Sequence, residues 1–300
     1  AGSTNAVLHI LAYAYELGIK LTLADFEKYA KEIYCINAVI PSGPYTVVDF
    51  HYAGGVKQVM KQLAGKIHTD APTIYGDTTW GELLDSVKSA PNKVIHSLED
   101  PVAKEPGLKI MRGNISPAGA IVRPTAVYEE VKYIKGAAKV YECDQDAYKA
   151  IMEGEIVAGD ILVIRYEGCK GAPGMKELML SIDALIGLGL DKKVGLITDA
   201  RFSGFNYGAI VGHVSPEAYD GGVIALIENG DEIEMDIAGG TVNLLVSDEI
   251  LAERRKSWVR PPLKQQKGVL NIYAQNCRPA EEGGAMQPWT LDADYGYHHE

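Results

Sequence analysis

The sequence predicts an α/β protein in which a helical first part is followed by a second part that is rich in strands. Up to residue 87, apolar residues recur at helical spacing, whereas from residue 108 onward short β-rich runs alternate with turns. The 300 residues are 47% hydrophobic and 23% charged, which is near the average of globular proteins. This length suffices for two structural units, each with its own core.

Four amphipathic segments in the first part are predicted to be helices, namely 1–20, 23–33, 56–63 and 80–87. In the first of them, the residues Gly-Ser-Thr-Asn precede the apolar positions, as is typical of a capped helix start. Residues 89–107 contain three prolines among scattered charges. They therefore predict an extended linker between the two units.

Eight short β-rich runs in the second part predict strands at 108–111, 120–122, 138–141, 161–165, 194–198, 223–227, 232–237 and 241–246. Three further segments predict helices at 144–154, 175–186 and 247–258. Short turn sequences between the last three runs predict that these strands are antiparallel neighbours. We therefore expect a mixed barrel or sandwich that is flanked by helices.

The chain is acidic, with 29 Lys and Arg against 40 Asp and Glu, a net charge of −11 and a pI of about 5.2. This charge repels phosphate backbones and anionic lipids, and the apolar stretches fall short of the roughly 20 residues of a membrane span. Neither nucleic acid nor a membrane is therefore expected as a partner. The cysteines lie too far apart for a C-x-x-C site, which predicts thiols in a reducing, cytoplasmic location: Cys35, Cys143, Cys169 and Cys277.

Two glycine-rich stretches follow predicted strands and carry the best candidate residues. In residues 165–177, backbone amides are placed to approach an anionic ligand, and Glu177 falls in the first turn of the next predicted helix. In residues 198–208, Ser203 follows a strand, where functional residues are frequent. A plain structural interpretation also fits, with Glu177 as a favourable charge at a helix start and Ser203 as a turn residue. The residue pattern alone leaves both interpretations open.

Five segments, in the same order, resemble the dihydroxy-acid dehydratase and sugar-acid dehydratase family: residues 2–9, 113–120, 165–175, 199–204 and 212–218. The first reads Gly-Ser-Thr-Asn-Ala-Val-Leu-His, and the last two read Asp-Ala-Arg-Phe-Ser-Gly and Gly-His-Val-Ser-Pro-Glu-Ala. The resemblance extends from residue 1 to about residue 258. Agreement of five separate motifs in order identifies the chain as a member of this family.

The resemblance implies two domains. In the family, an N-terminal α/β domain holds an iron–sulfur cluster and Mg²⁺, and a C-terminal β-barrel-like domain closes the active site. Residues 1–106 are therefore expected to be the helical C-terminal portion of the first domain, and residues 107–286 the barrel-like swivelling domain. Residues 287–300 are polar and are expected to form a mobile tail.

The resemblance also implies roles for two residues. Glu177 matches the C-terminal Mg²⁺ ligand of the family, and a carboxylate suits this hard cation. Ser203 matches the serine proposed to remove the proton from C2 of the substrate, which requires a nearby cation to stabilise its alkoxide. The cluster-binding cysteines, most metal-binding acids and the metal-bridging lysine of the family lie upstream of Gly-Ser-Thr-Asn. The cysteines of this chain are therefore not expected to bind the cluster, whether it is 2Fe–2S or 4Fe–4S.

The implied activity is that of a hydro-lyase, which removes water from a 2,3-dihydroxy carboxylic acid and forms a 2-keto acid. In the implied reaction, Mg²⁺ holds the carboxylate and the 2-hydroxyl, and an open iron accepts the 3-hydroxyl. A branched-chain dihydroxy acid, as in branched-chain amino acid biosynthesis, is favoured, and a sugar acid remains open. The chain is expected to need an upstream segment or partner subunit and to form a homo-oligomer. The alternative is a non-catalytic scaffold or regulatory subunit of a split dehydratase.

Overall fold

A mixed β-sheet forms the centre of the computed structural model, which describes residues 2–287 of the chain. In this part of the chain, the strands are β1 (Lys109–Met111), β2 (Gly119–Val122), β3 (Tyr133–Tyr141), β4 (Ile161–Ile164), β5 (Glu177–Leu178), β6 (Gly195–Thr198), β7 (Arg201–Phe202), β8 (Ala209–Ser215), β9 (Glu232–Asp236) and β10 (Thr241–Leu244). The α-helices are α1 (Thr4–Glu16), α2 (Leu23–Ala30), α3 (Val47–Tyr52), α4 (Gly55–Gln62), α5 (Trp80–Asp85), α6 (Asp144–Met152), α7 (Leu180–Gly187), α8 (Asp248–Ser257) and α9 (Val269–Asn276). The helices predicted in the first part are confirmed, and α3 and α9 are additional to the prediction.

The sheet has the strand order β1–β2–β8–β6–β4–β3–β9–β10. The central strands β3, β4, β6 and β8 run parallel to one another, and the outer strands pair antiparallel. A bridge between Arg112 and Thr241 joins the two edges, and Val242 N–H donates to the Arg112 carbonyl at 2.7 Å. The sheet therefore closes almost completely, which confirms the predicted mixed, barrel-like fold with flanking helices.

The sheet separates two apolar cores. All residues of β4 and β6 are buried, as expected for parallel strands that are covered on both faces. Val163 and Ile197 pack inside the barrel with residues of β9 and β10. Leu162 and Leu196 point to the opposite face, because side chains alternate along a strand, and pack with residues of α6 and α7. The helices between the strands thus cover the outside of the barrel.

One predicted strand is wrong, because residues 223–227 contain the short 3₁₀ helix Val223–Leu226 instead. The carbonyl groups of this segment do not depend on a strand partner. Arg165 Nη1 donates to the carbonyl of Ala225 at 2.8 Å and to that of Ile227 at 2.9 Å. The side chain of Arg165, which is distant in sequence, thus donates the hydrogen bonds that a neighbouring strand would otherwise supply to these carbonyl groups.

The central strand β8 is additional to the predicted strands. Its residues Ala-Ile-Val-Gly-His-Val-Ser include a glycine and a polar histidine, yet every one of them is buried between β2 and β6. A Cβ atom at Gly212 would approach the ring of Phe202 to 2.6 Å. This glycine therefore permits close packing of β7 on β8 and does not mark a turn.

The segment predicted to be a linker packs against the first part of the chain. Val94 and Ile95 are buried, and isolated bridges join Ile95 to Asn37 and Ala103 to Cys35. Residues 89–107 are therefore held in place along their length and do not form a loose connection. The position of the domain boundary stays a prediction.

Two further expectations concern the tail and the membrane. The predicted mobile tail of residues 287–300 lies outside the described residues, apart from Gln287. Between residues 2 and 287, no helix combines the length and the apolar character needed to cross a membrane.

Candidate functional site

A short parallel ribbon, formed by β5 and β7, holds the two predicted site residues. Glu177 pairs with Arg201, and Ser203 follows directly after the end of β7. The expected place of Glu177 in the first turn of a helix is wrong, because α7 begins only at Leu180. Pairing with β7 keeps this stretch extended, since Arg201 N–H donates to the carbonyl of Lys176 at 3.1 Å.

Asp144 supplies the acidic side chain at the start of α7, a role that the sequence suggested for Glu177. Its buried carboxylate accepts hydrogen bonds from the N–H groups of Met179, Leu180 and Ser181 at 3.3, 3.3 and 3.1 Å. The Ser181 hydroxyl also donates to it at 2.6 Å. These contacts satisfy amides that a helix start leaves without intrahelical partners. The carboxylate of Glu177 is therefore not needed to cap this helix.

The first turn of α1 lies across the ribbon. Thr4 is fully buried, and its hydroxyl donates to the carbonyl of Phe202 at 2.8 Å. Asn5 Nδ2 donates to Glu177 Oε1, and Asn5 Oδ1 accepts from Arg201 Nη1 at 3.4 Å. Asn5 therefore connects both strands of the ribbon and orients the Glu177 carboxylate.

Asn5 is a site residue that sequence reasoning did not identify. In Gly-Ser-Thr-Asn, the polar side chains resemble helix caps, but the N-cap residue Ser3 makes no side-chain capping bond. The amide of Asn5 instead contacts a residue 172 positions away in the chain. The sequence feature that could have identified Asn5 is a run of helix-capping residues that is longer than one helix start requires.

Ser203 is half-buried beyond the end of the ribbon. Its Oγ accepts a hydrogen bond from Phe205 N–H at 3.2 Å, and no histidine or carboxylate of the described residues is hydrogen-bonded to it. A serine without such a partner is a weak nucleophile and a weak base. The N–H donor favours negative charge on Oγ, and further positive charge is required for Ser203 to accept a proton.

A buried cation lies beside the turn that contains Gly204. Arg123 is 4% exposed, its Nε has no hydrogen-bond partner, and its Nη2 donates to Ser42 Oγ at 3.4 Å. A methyl group added to Gly204 would lie 3.4 Å from Arg123 Nη1 and 3.4 Å from Ser3 Cα. Burial lowers the pKa of the Arg123 guanidinium. Sequence reasoning did not identify Arg123. The feature that could have indicated it is a charged residue directly after the apolar strand β2.

The amides of the glycine-rich loop before β5 are occupied by an acidic side chain of the protein itself. Lys170 N–H and Gly171 N–H donate to the Glu217 carboxylate at 3.0 and 2.8 Å. Burial and the nearby Asp199 raise the pKa of Glu217 to about 8. An open ligand site at these amides, which the sequence left as one interpretation, is therefore wrong, because Glu217 occupies them.

A second buried carboxylate, that of Asp199, supports the same loop. It accepts hydrogen bonds from the N–H groups of Tyr166, Glu167 and Ala218 at 3.1, 2.9 and 2.9 Å. Burial raises the pKa of Asp199 to about 6 in spite of these donors. Because β7 begins two residues after Asp199, these contacts also help to hold the ribbon in place.

Glu177 fits a contribution to a Mg²⁺ site. The residue is half-buried, and its Oε1 accepts from Asn5, whereas its Oε2 has neither a hydrogen bond nor an ion pair with the described residues. A carboxylate oxygen without a partner is the type of ligand that Mg²⁺ prefers. In residues 2–287, no group of three or more His, Cys, Asp and Glu side chains is arranged to hold a metal ion. This part of the chain would therefore supply Glu177 as a single protein ligand.

The same residues offer no cysteine set for an iron–sulfur cluster. Cys35, Cys169 and Cys277 are buried, Cys143 is half-buried, and no disulfide joins these four residues. Burial raises the pKa of the Cys169 and Cys277 thiols, which disfavours the thiolate form that binds iron. The described cysteines therefore do not fit this cofactor.

Comparisons with known proteins place the chain in a family. The family model described as dihydroxy-acid/6-phosphogluconate dehydratase C-terminal matches residues 93–284, and its N-terminal counterpart matches residues 1–82. Dihydroxy-acid dehydratases of Pyrobaculum aerophilum, Geobacter sp. (strain M21) and Synechocystis sp. are 45%, 46% and 46% identical to the chain. The aligned segments cover 97%, 94% and 91% of this chain and 52%, 51% and 49% of those proteins.

The chain thus spans about half the length of the curated relatives it matches. The C-terminal model alone covers well over half of its residues. The β5–β7 ribbon, with Glu177 and Ser203, lies within that matched region. The chain therefore belongs to the dihydroxy-acid/6-phosphogluconate dehydratase family.

Proposed function

We propose that this chain forms one side of the active site of a hydro-lyase that converts a 2,3-dihydroxy carboxylic acid into a 2-keto acid. The observation that carries the proposal is the ribbon of β5 and β7, which places Ser203 directly beyond the strand that pairs with Glu177. A carboxylate that Asn5 orients and a serine that carries a backbone donor are found together on this ribbon. Family membership and relatives named dihydroxy-acid dehydratase support the same reaction.

Ser203 accepts the proton from C2 of the substrate in this proposal. The Phe205 N–H group, which already donates to Ser203 Oγ at 3.2 Å, stabilises the negative charge that Oγ carries before it takes up the proton. Transfer of the C2 proton to the negatively charged Oγ, with departure of the 3-hydroxyl, leaves an enol; the same proton then passes to the departing hydroxide to form water, which restores the charge on Oγ, and the enol becomes the 2-keto acid.

Glu177 is proposed as a ligand of Mg²⁺. When bound, the cation polarises substrate oxygens as a Lewis acid and makes the C2 proton more acidic. Asn5 holds one oxygen of Glu177 and leaves the other without a partner among the described residues. The iron–sulfur cluster implied by the resemblance finds no ligand set in residues 2–287, and we propose that its ligands and the remaining metal ligands lie outside this chain.

A branched-chain dihydroxy acid is the substrate class we favour. The relatives in three different genera share the name dihydroxy-acid dehydratase, whereas a phosphorylated sugar acid enters only through the family description. Keto-acid formation from 2,3-dihydroxy-3-methylbutanoate and from 6-phosphogluconate, measured side by side, separates the two. A faster reaction with the sugar acid would reverse this assignment.

The experiment that tests the reaction uses the purified enzyme with every polypeptide and cofactor that copurifies. Native mass spectrometry and iron content first define the polypeptides, their copy number and the cofactor, and thereby test the proposed homo-oligomer and any partner subunit. We expect Ser203→Ala to lower keto-acid formation at least about 100-fold, as loss of a general base does. Glu177→Gln is expected to have a similar effect, which higher Mg²⁺ relieves only in part. Unchanged rates in both variants would instead favour the non-catalytic scaffold.

A further inference from the structure

A cleft with a volume of about 580 Å³ lies between α2 and the edge of the barrel, and we term it the basic cleft. The side of α2 contributes Glu27 and, directly after the helix, Lys31. The barrel contributes Lys109, Arg112 and the glycine turn between β9 and β10. Three cations and one carboxylate therefore line this space, which leaves two net positive charges there in a chain whose net charge is −11.

The positive charges of the basic cleft are only partly used by the protein. Arg112 Nε pairs with Glu27 Oε1 at 2.8 Å, and no hydrogen bond joins Arg112 Nη2 to a described residue. Lys109 Nζ donates to two backbone carbonyls of the β9–β10 turn, but no described carboxylate pairs with it. The exposed ammonium group of Lys31 has neither an ion pair nor a hydrogen bond with the described residues. Because an ammonium group has three donors, both lysines retain donors for an external anion.

An apolar cavity with a volume of about 270 Å³ adjoins the basic cleft. Both spaces are lined by Ala30, Tyr34, Pro106 and Ile110, so they meet at these residues. Most of the remaining wall of the apolar cavity is hydrocarbon, from residues that include Val7, Phe26, Ile33, Leu63 and Leu108. An apolar group that enters this cavity removes its own surface and that of the wall from water, which favours binding.

We propose that the two spaces together bind an aliphatic carboxylate. The carboxylate lies between Lys31 and Lys109, and the hydrocarbon body extends past Ala30 into the apolar cavity. This ligand class combines the negative charge that complements the basic cleft with the hydrocarbon that complements the cavity beside it. The inference does not depend on the proposed reaction, because neither Glu177 nor Ser203 lines either space.

The ligand contacts both parts of the chain. Lys31 follows α2 in the first part, whereas Lys109 belongs to β1 of the barrel. A carboxylate between them offsets the repulsion of like charges that line one cleft. Binding should therefore raise the temperature of unfolding, as a ligand that binds only the folded protein does.

Calorimetric titration with octanoate tests this site on the purified protein, with every polypeptide that copurifies. Along the series butanoate, hexanoate and octanoate, we expect the Kd to fall about fourfold for each added methylene group, because each is buried in the apolar cavity. Octylamine and 1-octanol keep the hydrocarbon body but lack negative charge, and they should bind at least about tenfold more weakly than octanoate.

Two lysine variants test the position of the carboxylate. Lys109→Met removes a half-buried cation and should weaken octanoate binding at least about tenfold. Lys31→Gln removes an exposed charge that has no partner in the described chain, so it should weaken binding about threefold without loss of stability. The matched control is Lys20→Gln, an exposed lysine before α2 that lines neither space, and its affinity for octanoate should equal that of the wild type.

A third variant keeps the inference testable if Lys109→Met fails to fold. Ala30→Phe keeps every charge of the basic cleft but fills the place where the two spaces meet. Octanoate should then bind no more tightly than butanoate. The proposal would be overturned by absence of octanoate binding to the wild type, by affinity that is independent of chain length, or by octylamine binding as tightly as octanoate. Equal octanoate affinity in the wild type and Ala30→Phe would overturn it as well.

Discussion

Glu217 makes the stability of the fold depend on pH in a defined direction. Its pKa is raised from 4.5 to about 8 in the folded protein, by burial first and by repulsion from Asp199 second. Between these two values, the folded protein retains a proton that the unfolded chain has released. The contribution of Glu217 to stability is therefore complete below about pH 4.5 and is lost as the pH rises through 8.

Two other buried groups define the pH range in which the titration of Glu217 can be observed. Asp199, with its pKa raised to about 6, acts in the same direction at lower pH. Burial lowers the pKa of His213 from 6.5 to about 3, so its contribution is fully present above pH 6.5 and is lost as the pH falls. From pH 6.5 to 8, the titration of Glu217 dominates the pH dependence of the free energy of unfolding. A slope of about 1.4 kcal/mol per pH unit lowers this free energy by about 2 kcal/mol over that range.

Urea unfolding followed by circular dichroism, at about pH 6.5, 7 and 8, measures this loss. Glu217→Gln keeps a carbonyl acceptor for the amides of Lys170 and Gly171 but has no proton to release. Its free energy of unfolding should therefore be nearly constant over this range. The exposed control Glu130→Gln should retain the slope of the wild type. Equal stability of the wild type at the two ends of the range, or an equal slope in Glu217→Gln, would refute the reasoning.

Two further predictions concern contacts that hold the ribbon and its surroundings. Asp144→Ala leaves the amides at the start of α7 without acceptors and should lower the free energy of unfolding by about 2–3 kcal/mol in urea titrations. The exposed Asp183→Ala on the same helix should change it by a few tenths, and equal losses would contradict the capping role. Asn5→Leu frees the carboxylate of Glu177 and should raise the Mg²⁺ concentration for half-maximal activity of the purified enzyme about 10- to 100-fold. Asn271→Leu, at a half-buried position on α9, is the control, and an unchanged Mg²⁺ dependence in Asn5→Leu would show that Asn5 does not orient Glu177.

Most helices and most strands were predictable because their patterns are local. In β4 and β6, an uninterrupted apolar run is enough to indicate a strand that is covered on both faces. The same local reasoning failed at residues 223–227, where the side chain of Arg165 replaces a strand partner. It also failed at β8, where glycine and histidine are buried because neighbouring strands and Phe202 enclose them.

The candidate site was also predictable only in part from local sequence. Family motifs in the sequence identified Glu177 and Ser203, and the residue pattern placed both after predicted strands. Their local setting was decided by tertiary contacts. Glu177 is in a strand because it pairs with Arg201, and Asp144, 37 residues before Ser181, caps the helix in its place.

The sequence by itself therefore determined the α/β class, the order of most elements and the family, because each depends on short segments read along the chain. Only the tertiary structure decided that Asn5 holds Glu177 across 172 residues, that Glu217 fills the glycine-rich loop, and that Arg123 lies buried beside Gly204. The physical reason is that burial and hydrogen bonding between distant residues depend on how the sheet closes, and no local periodicity records those distances.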